Sequence, residues 1–95
     1  MKIREFQEMM RQIYFEKDKK RGISKTFMWL SQEIGELSRA ILKRDSNAIR
    51  EEMADVLAWL ASLANLLEID LENAAISKYP HVCPRCHNNP CTCEE

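Results

Sequence analysis

Two short acidic stretches decide how this chain is read: Glu33-Ile34-Gly35-Glu36 and Glu52-Met53-Ala54-Asp55. In each, two acids stand three residues apart, so on a helix both point the same way. Asp45-Ser46-Asn47 lies almost midway between them and offers a break. A chain that folds back there sets four carboxylates facing one another across a helical hairpin. Such a set suits a divalent cation.

The spacing of the apolar residues supports the hairpin. Opposed residues of two antiparallel helices have numbers with a constant total, because the rise per residue is the same on both. Phe27 with Leu63, Leu30 with Leu60, Ile34 with Val56, Leu37 with Met53, and Ile41 with Ile49 all total 90. A second set totals 88: Glu33 with Asp55, Glu36 with Glu52, and Trp29 with Trp59. At 100° per residue, the acid stripe lies about 110° around each helix from its apolar centre. The expectation is one apolar seam and a neighbouring seam of four acids, with two tryptophans at its far end.

Like charges so placed repel unless a cation or protons relieve them. No lysine or arginine falls between the pairs in that stripe. Carboxylate-only ligation favours Mg²⁺ or Mn²⁺, hard cations that prefer oxygen. No histidine precedes His81. This argues against a di-iron site built on Glu-x-x-His and against Ser-His or Cys-His catalysis in the helical body.

Outward from the hairpin, residues 2–17 read as a first helix, with Ile3, Phe6, Met10, Ile13 and Lys17 in one stripe broadened by Met9 and Tyr14. Asp18 to Lys25 reads as a polar, basic turn around Gly22. The second helix is expected from about Thr26 to Lys43, entered at Ser24 or Lys25. Gly35 within it costs about 1 kcal/mol relative to alanine, which a close backbone approach would explain. Asp45 or Ser46 caps a third helix reaching about Leu67, and Asp70 caps a short fourth through Lys78. Tyr79-Pro80 ends it. The fold class is therefore all-α: three main helices and a short fourth.

The 95 residues make one domain with a modest core, which a second subunit is expected to complete. A net charge of −1 argues against non-specific nucleic-acid binding. No apolar run approaches the roughly 20 residues of a membrane span, and the N-terminus lacks a signal-peptide apolar region. A cytoplasmic location is the expectation.

All four cysteines lie in Cys83-Pro84-Arg85-Cys86-His87-Asn88-Asn89-Pro90-Cys91-Thr92-Cys93. Cys-x-x-Cys turns readily present two thiolates to one Zn²⁺, and Cys91 and Cys93 supply a second pair. His81 or His87 are substitutes. The alternative is a tail of reactive thiols, or disulfides if oxidised. The chain thus divides into a helical domain, 1–80, and a Cys-rich tail, 81–95, which is a candidate zinc site.

Taken together, Glu33-x-x-Glu36 and Glu52-x-x-Asp55 resemble the signature of the MazG-like all-α nucleotide pyrophosphohydrolases, near the short MazG-like and dCTP-pyrophosphatase branch. Ile34-Gly35-Glu36-Leu37, Asp55-Val56-Leu57, Leu67-Glu68-Ile69-Asp70 and Lys78-Tyr79-Pro80 carry the same likeness, over residues 4 to about 80.

The resemblance implies hydrolysis of a nucleoside triphosphate to the monophosphate and pyrophosphate, in nucleotide-pool housecleaning. It implies Mg²⁺ held by Glu33, Glu36, Glu52 and Asp55, and a helical bundle completed as a homodimer or homotetramer. Glu33 is a candidate to accept the proton of the attacking water. Lys78 matches a late lysine of the family and is either a phosphate contact or an ordinary helix-end lysine. Arg21 and Lys25, with Lys19 and Lys20, either gather the triphosphate or form a solvated loop. Trp29 and Trp59 either stack on a base or belong to core or interface. Asn65 is a polar core residue at a subunit contact or a sugar contact. Gln32 stands where many members carry glutamate, which bears on the number of metal ions, and Ile76 where many carry asparagine. Phosphoribosyl-ATP is a same-class alternative substrate. A non-catalytic helical dimer with a zinc-binding tail is the alternative of a different class.

Overall fold

The computed structural model describes residues 1–95 and contains four helices: α1 (Ile3–Arg21), α2 (Ile23–Lys43), α3 (Ser46–Leu67) and α4 (Leu71–Lys78). The caps predicted for the last two helices are present. Asp45 accepts from the Ala48 N–H at 3.1 Å and Asp70 from the Asn73 N–H at 3.1 Å. At the ends of α2 and α3, Arg44 and Glu68 take left-handed backbone angles (φ 55° and 58°), which turn the chain sharply out of each helix.

The first junction differs from expectation. Asp18 to Lys25 is not a basic loop, because α1 continues to Arg21 and α2 begins at Ile23. Gly22 alone separates them, at φ 86°, a conformation that costs glycine nothing and strains other residues. Its N–H donates to the Asp18 carbonyl and its carbonyl accepts from Thr26, so one residue closes one helix and opens the next. Neither Ser24 nor Lys25 caps α2. Local polarity suggested a loop, but these side chains occupy helical positions at which charge is tolerated.

α2 packs chiefly on α3, α1 chiefly on α3, and α4 on α1. Gln7, near the start of α1, meets Asn65 and Ile69 near the end of α3, while Arg21 at the end of α1 meets Trp59 further back along α3. The two helices thus run in opposite senses across their contact. The buried residues of these two helices are mostly small or polar: Gln7, Met10 and Asp18 in α1, and Ala61, Ser62, Ala64 and Asn65 in α3.

Between the two helices is a reciprocal amide pair. Gln7 Nε2 donates to Asn65 Oδ1 (3.0 Å) and to the Ile69 carbonyl (2.8 Å), while Asn65 Nδ2 donates to the Gln7 carbonyl (3.1 Å). The Leu71 N–H donates to Gln7 Oε1 at 3.0 Å, tying the start of α4 into the same network. Arg4 closes the outer edge on Asp70 and Glu72, at 2.9 and 3.2 Å. Asn65 is therefore a core residue within one chain.

The apolar seam of the hairpin is only half closed. In each of its five pairs one member is exposed: Phe27, Leu60, Ile34, Met53 and Ile41 lie between 38% and 56% exposed. Two helices can cover only the strips that face each other, and this stripe is wider than that. Only ten residues are buried, and five of these are apolar. Gly35 has no neighbour within 4 Å of where a Cβ would stand, so the expected close backbone approach is absent from the fold of the single chain.

The amide pair makes a direct prediction. Asn65→Ala removes both amide bonds that join Gln7 to α3, while the Gln7 bonds to Ile69 and Leu71 remain, and is expected to cost about 2 kcal/mol. Urea denaturation should show a lower midpoint at an unchanged slope.

Candidate metal centre

The hairpin brings together three of the four acids that the spacing implied. Glu33 of α2 meets Glu52 and Asp55 of α3, with one carboxylate oxygen from each lying within 4.8 Å of the others. Glu33 and Glu52 are half-buried and Asp55 is exposed. At the far end of the seam, Trp29 and Trp59 stack with centroids 5.9 Å apart and planes at 15°.

Glu36 stands outside this group of three. Its Oε1 lies 3.6 Å from an Arg39 guanidinium one turn on, an ion pair along its own helix. Arg39 therefore relieves part of the charge that appeared unopposed in the sequence. It sits beyond the pairs rather than between them.

The three clustered carboxylates have no such relief. Burial pushes the Glu33 carboxyl above its ordinary value. Glu52, close enough to share a proton with it, and the negative charges of Asp55, Glu52 and Glu36 push the same way. Glu52 Oε2 is buried and has no hydrogen-bond partner. An acceptor oxygen withdrawn from water without a donor is costly, and a cation removes that cost. Three oxygen donors with one orphaned among them fit a hard divalent ion.

Beside the cluster is a cavity of about 280 Å³, lined by two helical faces. Tyr14, Lys17, Asp18 and Arg21 come from α1, and Asp55, Ala58, Trp59 and Ser62 from α3. Asp55 belongs to both the cavity and the carboxylate group. Arg21 is fixed in the wall: its guanidinium lies 2.8 Å from Asp18 Oδ1, 3.3 Å from Thr26 Oγ1 and 4.7 Å from the centre of the Trp59 ring. Asp18 and Thr26 are fully buried, and Asp18 Oδ2 has no partner.

The other candidates are dispersed. Lys25 and Trp29 line a separate concavity with Met28 and Gln32. Lys78, at the end of α4, lies against the Tyr79 ring at 5.7 Å and is not among the residues lining the cavity. Reading the sequence missed Asp18, Tyr14, Lys17 and Ser62 as cavity residues. A signal existed, because 14, 17, 18 and 21 follow the spacing of one helical face, as do 55, 58, 59 and 62. Ending α1 at Lys17 hid the first face.

The four cysteines of the tail form a second cluster, with sulfurs within 4.8 Å of one another and no histidine nitrogen among them. They are unequal as thiols. Backbone N–H groups of Thr92 and Asn88 draw Cys86 down to about 5, and those of Cys86 and Arg85 lower Cys83. Cys93, crowded by the sulfurs of Cys91, Cys83 and Cys86, is pushed up to about 11.

The raised Glu33 carboxyl carries a sign. The folded chain holds this proton more tightly than the unfolded chain, so its contribution to stability is present below the ordinary glutamate value and lost as pH rises through the folded value. In metal-free protein, Glu33→Gln should therefore raise Tm at pH 7 by about 2–6 °C, with the gain vanishing below the ordinary glutamate value. Thermal melts in chelator across pH check this.

Comparison with curated proteins found no match to this chain. Against models of protein families, residues 21–87 match the MazG nucleotide pyrophosphohydrolase domain, a span that begins at Arg21 and includes both acidic motifs and the first two cysteines. That match takes in more than half of the chain, and the chain belongs to the MazG nucleotide pyrophosphohydrolase family.

Proposed function

We propose that this protein is a Mg²⁺-dependent pyrophosphohydrolase that converts a nucleoside or deoxynucleoside triphosphate to the monophosphate and pyrophosphate. The observation that carries this is the three-carboxylate group with its orphaned Glu52 oxygen, set beside a cavity lined by Lys17 and the Asp18-paired Arg21, in a chain of this family.

Glu33, Glu52 and Asp55 would hold the cation, with Glu36 reached by a change of side-chain rotamer that gives up its pair with Arg39. When bound, Mg²⁺ supplies neutralisation and orientation of the triphosphate charge and makes water a better nucleophile. Arg21 adds a cation at the cavity wall. Its planar fork is already oriented by Asp18 and Trp59, so less rotamer freedom is lost when it meets phosphate oxygens. Trp29 and Trp59 buttress that wall as a stacked pair. Glu33, through a carboxylate oxygen not engaged by the cation, is the candidate to accept the proton of the attacking water.

The test is a panel of ordinary and modified triphosphates, with phosphoribosyl-ATP as a separate arm. Pyrophosphate release is followed with and without Mg²⁺. Glu52→Gln and Asp55→Asn are each expected to lower kcat/KM by at least about 100-fold, or ~2.7 kcal/mol of barrier. Release unaffected by both substitutions, or by omission of Mg²⁺, would sink the proposal. Absence of turnover on every arm would favour the non-catalytic module with its cysteine tail.

The same reading includes a homodimer, with the exposed half of the apolar seam closing on a second copy. Five buried apolar residues are few for a stable 95-residue chain, and a self-complementary helical face is the economical way to enlarge the core. Sedimentation at micromolar concentration should give a dimer or a dimer of dimers, and Ile34→Glu with Leu60→Glu a smaller species. A wild-type monomer at that concentration would be the contrary result.

A further inference from the structure

We propose that Cys83, Cys86, Cys91 and Cys93 bind one Zn²⁺ per chain, and that this ion is the structural core of the tail. The proposal does not depend on the function of the helical body.

Geometry carries it. Zinc–thiolate bonds of about 2.3 Å in a tetrahedron put neighbouring sulfurs about 3.8 Å apart. Here Cys83 and Cys93 sulfurs are 3.7 Å apart and those of Cys86 and Cys91 are 3.9 Å apart. All four lie within 4.8 Å of one another, which encloses a single ion and leaves no room for a multi-iron cluster.

The backbone around the sulfurs is arranged to hold negative charge. The Arg85 N–H donates to Cys83 Sγ at 3.4 Å, the Thr92 N–H to Cys86 Sγ at 3.4 Å, and the Cys93 N–H to Cys91 Sγ at 3.3 Å. Such donors stabilise thiolates, which are the form that ligates metal. His87 takes φ 62°, and its N–H donates to the Cys83 carbonyl at 2.8 Å, while the Cys83 N–H donates to the Asn88 carbonyl at 3.0 Å. The segment thus curls back around the first two sulfurs, and Asn88 Nδ2 reaches Thr92 Oγ1 at 2.8 Å to bring in the second pair.

Nothing else in the tail supplies a core. From His81 onward no residue is buried, and the side-chain hydrogen bonds of this segment stay within it. A loop of this length whose apolar side chains, the cysteines apart, are Val82, Pro84 and Pro90, none of them buried, cannot offset its ordering entropy by burial, whereas a structural metal can.

The experiment uses the full chain, stripped of metal under reductant and titrated with Co²⁺. One Co²⁺ per chain should bind with a sulfur-to-metal charge-transfer band and intense tetrahedral d–d bands, and one equivalent of Zn²⁺ should displace it. Protein as isolated should contain one zinc. The double substitution Cys86→Ser with Cys91→Ser should abolish the charge-transfer band while leaving the helical circular dichroism intact. Glu52→Gln should leave the band unchanged, which separates this site from the carboxylate group. A weak oxygen-ligand spectrum only, iron in place of zinc, a band that survives the cysteine substitutions, or four thiol hydrogens missing by mass under reductant would overturn the proposal.

Discussion

Antiparallel packing of α2 on α3 forces like charges together, and much else in the molecule follows from that constraint. The same register that stacks Trp29 on Trp59 places Glu33 against Glu52 and Asp55. The packing of α2 on α3 keeps these three side chains on facing turns of the two helices. The carboxylates are therefore crowded, with one oxygen orphaned and the Glu33 carboxyl raised above its ordinary value. A folded state that accepts such a cost without a cation spends stability that a bound ion returns.

The third long helix makes the hairpin into a site. α1 crosses α3 on small and polar residues, which let the backbones approach and leave the Gln7–Asn65 amides to set the register. Because that end is pinned and Gly22 turns the chain in a single residue, the last turn of α1 is held over the α3 face that ends in Asp55. The buried Asp18, the Arg21 guanidinium and the Trp59 ring then form one wall. The structure thus places a cation beside the carboxylates without neutralising them, since Arg21 is paired with Asp18 instead.

Much of this was legible in the linear chain, and the reasons are specific. The helices from Thr26 to Lys78 were readable because their stripes are strongly periodic and because Asp45 and Asp70 cap by side-chain chemistry that leaves a local signature. The meeting of Glu33 with Glu52 and Asp55 was readable because equal rise on two helices makes register an arithmetic property. The run from Asp18 to Lys25 was misread because charge and a glycine look the same in a solvated turn and in two helices hinged at one residue. Glu36 also escaped a reading by spacing: its partner Arg39 lies on the same stripe, and a rotamer decides which neighbour it meets.

By itself, the sequence determined the all-α class, the helical hairpin and the meeting of three of its four acids, because periodicity and capping act over a few residues and translate directly into position. The tertiary structure alone decided where α1 goes. That choice depends on a reciprocal amide pair 58 residues apart and on one positive φ at Gly22, neither of which leaves a periodic trace. It thereby decided that Asp18 and Arg21 belong to the cavity and that half of the apolar stripe remains uncovered in the chain. Pattern gives the faces of helices, but only packing says which faces meet.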